Sequence, residues 1–295
     1  MTNSETILIT GASGQLGRLV IAAVKRRAAA ANIVAMVRDA AKASDLAEQG
    51  VELRVADYND LLALSSAMMG VDKLLLISSS EVGQRSVQHR NVVKAAMVAG
   101  IKLIAYTSLL HADSSPMALA VEHRETEQAI RGSGLPFTLL RNGWYSENYT
   151  QGVAAALEHG VVLGAAGDGL LSLAARQDYA EAAAAVLLVD AARHAGKVYE
   201  LAGDHACTLA DLAAEITRQS GKPVRYQDLP EAEYKAELIG FGLPEGFAEL
   251  LAESDAKAAR GALYEPGQTL SQLIGRPTTP LRDSVAAALA LQSRA

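Results

Sequence analysis

The stretch Thr10–Gly17, "TGASGQLG", follows the apolar run "ILI" (residues 7–9) and precedes the helical run "RLVIAAV" (residues 18–24). Gly11, Gly14 and Gly17 stand at GxxGxxG spacing where a strand gives way to a helix. A turn without Cβ atoms lets backbone amides approach a pyrophosphate, and the helix that follows adds its positive N-terminal end. The turn residues Gly11, Ser13, Gly14, Gln15, Leu16 and Gly17 are therefore the first candidates for a dinucleotide site. Alone, the glycine pattern also fits an ordinary strand-to-helix turn, so the surrounding rhythm decides.

From residue 5 to about residue 145 that rhythm is regular. The runs "TILIT", "IVAMVR", "VELRVAD", "KLLLISS", "KLIAYTS" and "FTLLRNGWY" alternate with amphipathic or Ala-rich segments, the pattern of βαβ units. The strands are apolar on both faces, as they are where helices cover both sides of a parallel sheet. Right-handed crossovers then give a doubly wound α/β sheet, the Rossmann arrangement. Residues 1–150 read as the NAD(P)-binding domain and residues 151–295 mainly as a smaller C-terminal α/β substrate lobe.

The lobes interleave in sequence. About 176–203, with "DYAEAAAAVLLVDAA" as a helix and "KVYELAG" as a strand, returns to the main sheet. "GVVLGAAGDGLLSLA" has the glycine spacing of a short hairpin or loop. "TLADLAAEITRQSG" reads as a helix with Thr208 as N-cap, Asp211 at the third helical position and Gly221 as its stop, and "KPVRYQDL" as a strand.

Composition excludes several classes. The 295 residues are half apolar, and 27 basic against 33 acidic residues give a net charge of −6 without long like-charge blocks. A protein that binds nucleic acid through its phosphates needs the opposite balance. Cys207 is the single cysteine, which removes disulfides within the chain and thiolate metal clusters, and the histidines lack HxxxH spacing, so no metal is expected. The first residues carry no basic segment ahead of their short apolar run, and "AEAAAAVLLVDAA" is interrupted by Glu181 and Asp190. No membrane insertion is expected, and the cytoplasm is the natural location.

The second strand bears on the cofactor. Where an NAD site commonly places a carboxylate for the ribose 2′-hydroxyl, this chain has Arg38, 21 positions after Gly17. Arginine offers a planar fork to a 2′-phosphate, which favours NADPH over NADH, although a solvated strand-end arginine reads the same way. Asp39 follows, pointing to the opposite face if the strand continues. Asp57 and Tyr58 end the third strand within reach of an adenine; Asp57 also fits a helix cap. Ile77, Ser78 and Ser79 end the fourth strand beside the crevice where strand order reverses, and the serines also fit a polar loop.

The segments "TGASGQLG", "AMVRD", "VADYND", "NVVKAAMVAGIKLIAYTS", "TEQAIRGSGLPFTLLRN" and "LIGRPTTPLRDSV" together resemble the atypical NmrA-like branch of the short-chain dehydrogenase/reductase superfamily. Within it the chain is most similar to bacterial NAD(P)H:quinone oxidoreductases and triphenylmethane-dye reductases. The resemblance implies an NADPH-dependent oxidoreductase without flavin or metal, acting as monomer or homodimer on a small planar aromatic or quinone substrate. Most of the superfamily uses a YxxxK pair, and none occurs here; aligning "HRETE" on the corresponding segment puts His123 at the lysine position and Leu119 at the tyrosine position. Removal of an alcohol proton needs such a base, whereas hydride added to a quinone yields a delocalised anion that solvent can protonate.

On this resemblance His123 and Ser108 are catalytic candidates, with a histidine satisfied inside the fold as the alternative. His111, Trp144, Tyr145 and Phe241 are candidates for substrate binding, Tyr149 offers a further flat face, and Asn142 is a candidate for nicotinamide or ribose binding. Trp144 equally fits a core position. The same branch contains proteins that bind NAD(P) and regulate partners without turnover, so a non-catalytic sensor is the rival reading.

Overall fold

The computed structural model describes residues 5–292. Six strands, β1 (Thr6–Ile9), β2 (Asn32–Val37), β3 (Glu52–Val55), β4 (Lys73–Leu76), β5 (Leu103–Leu109) and β6 (Phe137–Asn142), alternate with helices. These are α1 (Gln15–Arg27), α2 (Ser44–Glu48), α3 (Leu61–Ala67), α4 (Arg85–Ala99) and α5 (Ala120–Gly132). Among the described residues the sheet runs in the order β3-β2-β1-β4-β5-β6-β8, where β8 is Lys197–Leu201. From β3 to β6 every pairing is parallel, with Leu8 opposite both Val34 and Leu74. The order reverses between β1 and β4, and a ligand crevice is expected at the carboxyl ends of those two strands.

The chain divides into two compact units. One comprises residues through 112, 121–142 and 179–199; the other comprises 113–120, 143–178 and the residues from 200 onward. In the first unit Leu8, Val34, Leu74, Ile104 and Leu139 from five strands pack with Leu64, Val92 and Ile130 from helices. The helix α8 (Arg176–Leu187) ends on Lys73, whose side chain is 1 % exposed. Its Nζ donates to the carbonyls of Leu187 at 3.1 Å and Val189 at 2.7 Å and pairs with Glu5 at 2.5 Å. A buried ammonium is tolerable because helix-end carbonyls and a carboxylate take its protons.

The second unit holds α6 (Glu147–Thr150), α7 (Val153–His159), β7 (Val161–Gly164), α9 (Leu209–Ser220), β9 (Arg225–Asp228) and four further helices. These are α10 (Glu231–Gly240), α11 (Glu245–Ala258), α12 (Thr269–Ile274) and α13 (Leu281–Gln292). The α9 termini follow the expected chemistry: Thr208 and Asp211 form a reciprocal capping box, and Gly221 closes the helix in the left-handed conformation. "GVVLG" does not form a hairpin. Its strand β7 pairs in parallel with β9, Val161 opposite Arg225, so its hydrogen bonds go to a strand more than 60 residues away; local glycine spacing carries no information about such a partner. The late "GRPTT" segment is tied to the fully buried Asp178, which accepts from Arg276 Nη2 at 2.6 Å and from the Thr279 amide at 2.8 Å.

Candidate active site

The glycine turn opens a cavity of about 300 Å³ in the first unit. Gly11 has φ +56°, the left-handed region that glycine enters without strain. Gly17 is required by close approach: a Cβ there would lie 2.5 Å from the Gly11 carbonyl oxygen and 2.7 Å from Ala12 Cα. The helix α1 starts from Gly14 without a side-chain cap and without an acidic residue in its first turn, which leaves its positive end available to an anion. Arg18 braces the turn: its Nε donates to the Ser13 carbonyl at 3.0 Å while the rest of its fork holds the Lys42 carbonyl and the Asp45 carboxylate. Ser13, Gln15 and Leu16 line the cavity beside the three glycines.

The next wall comes from the ends of β2 and β3. Arg38 lies directly beyond β2 and lines the cavity, 68 % exposed, with Nη1 2.6 Å from Glu81 Oε1. Asp39 turns to a local task, accepting from the Ala41 amide at 2.9 Å. Asp57 and Tyr58 also line the cavity. Asp57 accepts from the Asn59 amide at 2.8 Å, and the cap of α3 is Asp60, which accepts from the amides of Leu62 and Ala63.

The third wall is the segment after β4, and here the backbone is held by side chains from three elements. The amide of Ile77 donates to Thr10 Oγ1 at 2.9 Å, that of Ser78 to Thr107 Oγ1 at 2.9 Å, and that of Ser79 to His89 Nε2 at 3.0 Å. The Ile77 carbonyl accepts from the Tyr58 hydroxyl at 3.2 Å. Ser79 is held further by Arg85 Nε at its carbonyl and by Gln88 Oε1 at its hydroxyl. Arg85, Gln88 and His89 share one face of α4 and are all nearly or fully buried. Ile77, Ser78 and Ser79 line the cavity together with Ser80, Glu81 and Gln88.

The sequence reading does not reach Glu81, Gln88 and His89. For Gln88 and His89 the available signal is the polar start "RSVQH" of α4, a pattern ordinarily taken as solvent-facing, and Glu81 stands in a short polar loop before it. His89 must accept at Nε2, which puts its proton on Nδ1 for donation to Thr126 Oγ1 at 2.9 Å. Burial, together with the positive charge of Arg85, depresses its pKa to about 3 and keeps the ring neutral.

The remaining candidates lie outside the residues lining this cavity. His123, 4 % exposed, sits 2.7 Å from the Tyr106 hydroxyl through Nδ1. Burial, with Arg85 nearby, holds its pKa well below the usual histidine value. Ser108, also 4 % exposed, donates to Glu127 Oε1 at 2.6 Å, and Glu127 takes Arg141 in a bidentate pair at 2.9 and 2.8 Å. Asn142 is buried at the end of β6. His111 follows β5 with φ +52°, the one non-glycine with positive φ among the described residues. In the second unit Trp144 is 8 % exposed, Tyr145 is half-buried with the Arg176 guanidinium 4.8 Å from its ring centre, and Phe241 caps α10 at 57 % exposure. Tyr149 donates to the buried Asp255 at 2.6 Å.

The chain is similar to several known proteins. Quinone oxidoreductase 2 of Escherichia coli (strain K12) is 60 % identical over 279 residues, covering 95 % of this chain and 97 % of that protein. The crystal structure of an NADPH-dependent quinone oxidoreductase from Escherichia coli complexed with NADPH superposes with a TM-score of 0.92 at 59 % identity, over 96 % of this chain and 99 % of that one. Triphenylmethane reductase from Citrobacter sp. gives a TM-score of 0.92 at 40 % identity, over 97 % and 99 %. The family model of the NmrA-like family matches residues 3–284, and the chain belongs to that family.

Proposed function

We propose that this protein is a reductase that uses NADPH to reduce quinones or similarly flat, conjugated acceptors. The observation that carries the reading is the meeting of the glycine turn and Arg38 in one cavity at the reversal of strand order. The turn offers backbone N–H groups to a pyrophosphate, and Arg38 offers a planar fork to a 2′-phosphate. When bound there, NADPH supplies the hydride. The chain contains no YxxxK pair, and a quinone needs none: one hydride and one proton from solvent convert it to the hydroquinone. The relatives named for quinone and triphenylmethane reduction fit the same requirement.

Within this reading His123 and Ser108 are positioning residues. Both are buried and committed to partners, which supports a role in holding β5 against α5. His111, which is not fully buried, is the better candidate in the first unit for meeting the acceptor. The test is the decay of NADPH absorbance with a benzoquinone, a naphthoquinone, a cationic triarylmethane dye and an aliphatic ketone, each repeated with NADH. Turnover of the quinones with NADPH and little with the ketone is expected. Cofactor binding without turnover of any acceptor would overturn the assignment.

A further inference from the structure

Arg38 and Glu81 meet at the cavity through Nη1 and Oε1, 2.6 Å apart. Glu81 is backed by a frame: its second oxygen accepts from Gln88 Nε2 at 2.7 Å, and its amide donates to Ser79 Oγ at 3.2 Å. Gln88 is 2 % exposed and takes the Ser79 hydroxyl at 2.6 Å. One carboxylate oxygen is thus held from behind while the other addresses the guanidinium. A 2′-phosphate taken by the two terminal nitrogens of the fork needs the Nη1 group that Glu81 holds, so carboxylate and phosphate compete for that end of the guanidinium.

We propose that Glu81 tempers the cofactor preference of the site: the 2′-phosphate of NADPH takes Arg38 from Glu81, whereas NADH leaves the pair closed. The proposal rests on the reading of Arg38 as the residue for the 2′-phosphate. Arg38 confers the preference for NADPH and Glu81 reduces it, because only the phosphorylated cofactor must break the pair. The backbone of 80–84 therefore loosens when NADPH binds and stays as it is with NADH.

The experiment is equilibrium titration of the wild type, Glu81→Gln, Glu81→Asp, Arg38→Ala and the Arg38→Ala/Glu81→Gln double variant with NADPH and NADH, followed by calorimetry. The pair is largely solvent-exposed, so Glu81→Gln is expected to tighten NADPH by about three- to fivefold and to leave NADH unchanged. Glu81→Asp keeps the charge but withdraws it from Arg38, and is expected to tighten NADPH as Glu81→Gln does. In the Arg38→Ala background Glu81→Gln is expected to change nothing. Hydrogen exchange of 80–84 should quicken with NADPH alone.

Tightening that persists without Arg38, or that Glu81→Asp fails to reproduce, would replace the competition with simple repulsion between carboxylate and cofactor. Unchanged NADPH affinity in Glu81→Gln, with NADPH selectively weakened by Arg38→Ala, would sink the role of Glu81 alone. Equal losses of NADPH and NADH in Arg38→Ala would overturn the reading of Arg38 and this inference with it.

Discussion

The Ser79 amide donates to His89 Nε2 at 3.0 Å, so the backbone of the cavity wall is anchored by a neutral, fully buried histidine. Replacing His89 by leucine fills much of the same space and leaves that amide without its acceptor. An orphaned buried donor costs about 1–3 kcal/mol. His89→Leu is expected to lower thermal stability by that amount and to weaken NADPH, since Ser79 lines the cavity. Calorimetric scans with and without NADPH check both effects; full stability and full affinity would show that the wall does not depend on this bond.

The same histidine makes stability depend on pH. In the folded state His89 titrates near 3 and His123 well below its usual value, both because burial disfavours the charged ring. Unfolded, each binds a proton near pH 6.5. Their contribution is complete above that pH and declines as pH falls toward the folded values, by about 1.4 kcal/mol per pH unit for each ring. Asp255 works in the other direction: burial raises its pKa to about 6, so between pH 6 and its unfolded value near 3.8 it favours the folded state as pH falls. Urea midpoints at pH 7.5, 6.5 and 5.5 should therefore fall less between 7.5 and 6.5 than between 6.5 and 5.5, with Asp255 offsetting part of the second drop, and His89→Gln should flatten the profile. A profile flat from 7.5 to 5.5 would contradict the assigned neutral states.

Much of this site could be read in the sequence because its signals are local. The turn Gly11–Gly17 and the position of Arg38 after β2 depend on short spacings, and every strand-end candidate from Arg38 to Ser79 lines the cavity. The acceptors behind the third wall were not legible for the opposite reason. Thr10, Thr107 and His89 come from three elements that the topology brings together at Ile77–Ser79, and each looks unremarkable in its own segment. Arg85, Gln88 and His89 point inward from the first turn of α4, where a polar residue would ordinarily be placed at the surface. The parallel pairing of β7 with β9 escaped for the same reason, since no feature of "GVVLG" names a strand beginning at Arg225.

Gly17 gives a sharper test than its neighbours. Its Cβ would fall 2.5 Å from the Gly11 oxygen, whereas one at Gly14 would fall 3.2 Å from the same atom. The first distance forces the turn and α1 apart, and the second asks for a few tenths of an ångström. Gly17→Ala is expected to weaken NADPH by roughly tenfold or more, on the order of 1.4 kcal/mol, and Gly14→Ala by clearly less. Fluorescence titration compares them directly, and equal effects would show that the packing of turn against helix does not shape the site.

His123 and Ser108 separate structural from chemical roles. His123→Ala removes the partner of the buried Tyr106 hydroxyl and opens a cavity, so a stability loss of about 2–4 kcal/mol is expected. Ser108→Ala removes one donor to Glu127, which keeps its bidentate Arg141 pair, and about 0.5–1.5 kcal/mol is expected. Because both side chains are buried and already partnered, kcat for a quinone should stay within about twofold at a temperature where each variant is folded, a change of less than 0.5 kcal/mol in the barrier. The pH profile of kcat/KM should likewise show no limb belonging to His123, since its ring stays neutral through the neutral range. A hundredfold fall in kcat for His123→Ala, with thermal stability and the KM for NADPH preserved, would move His123 from positioning the fold to acting on the acceptor.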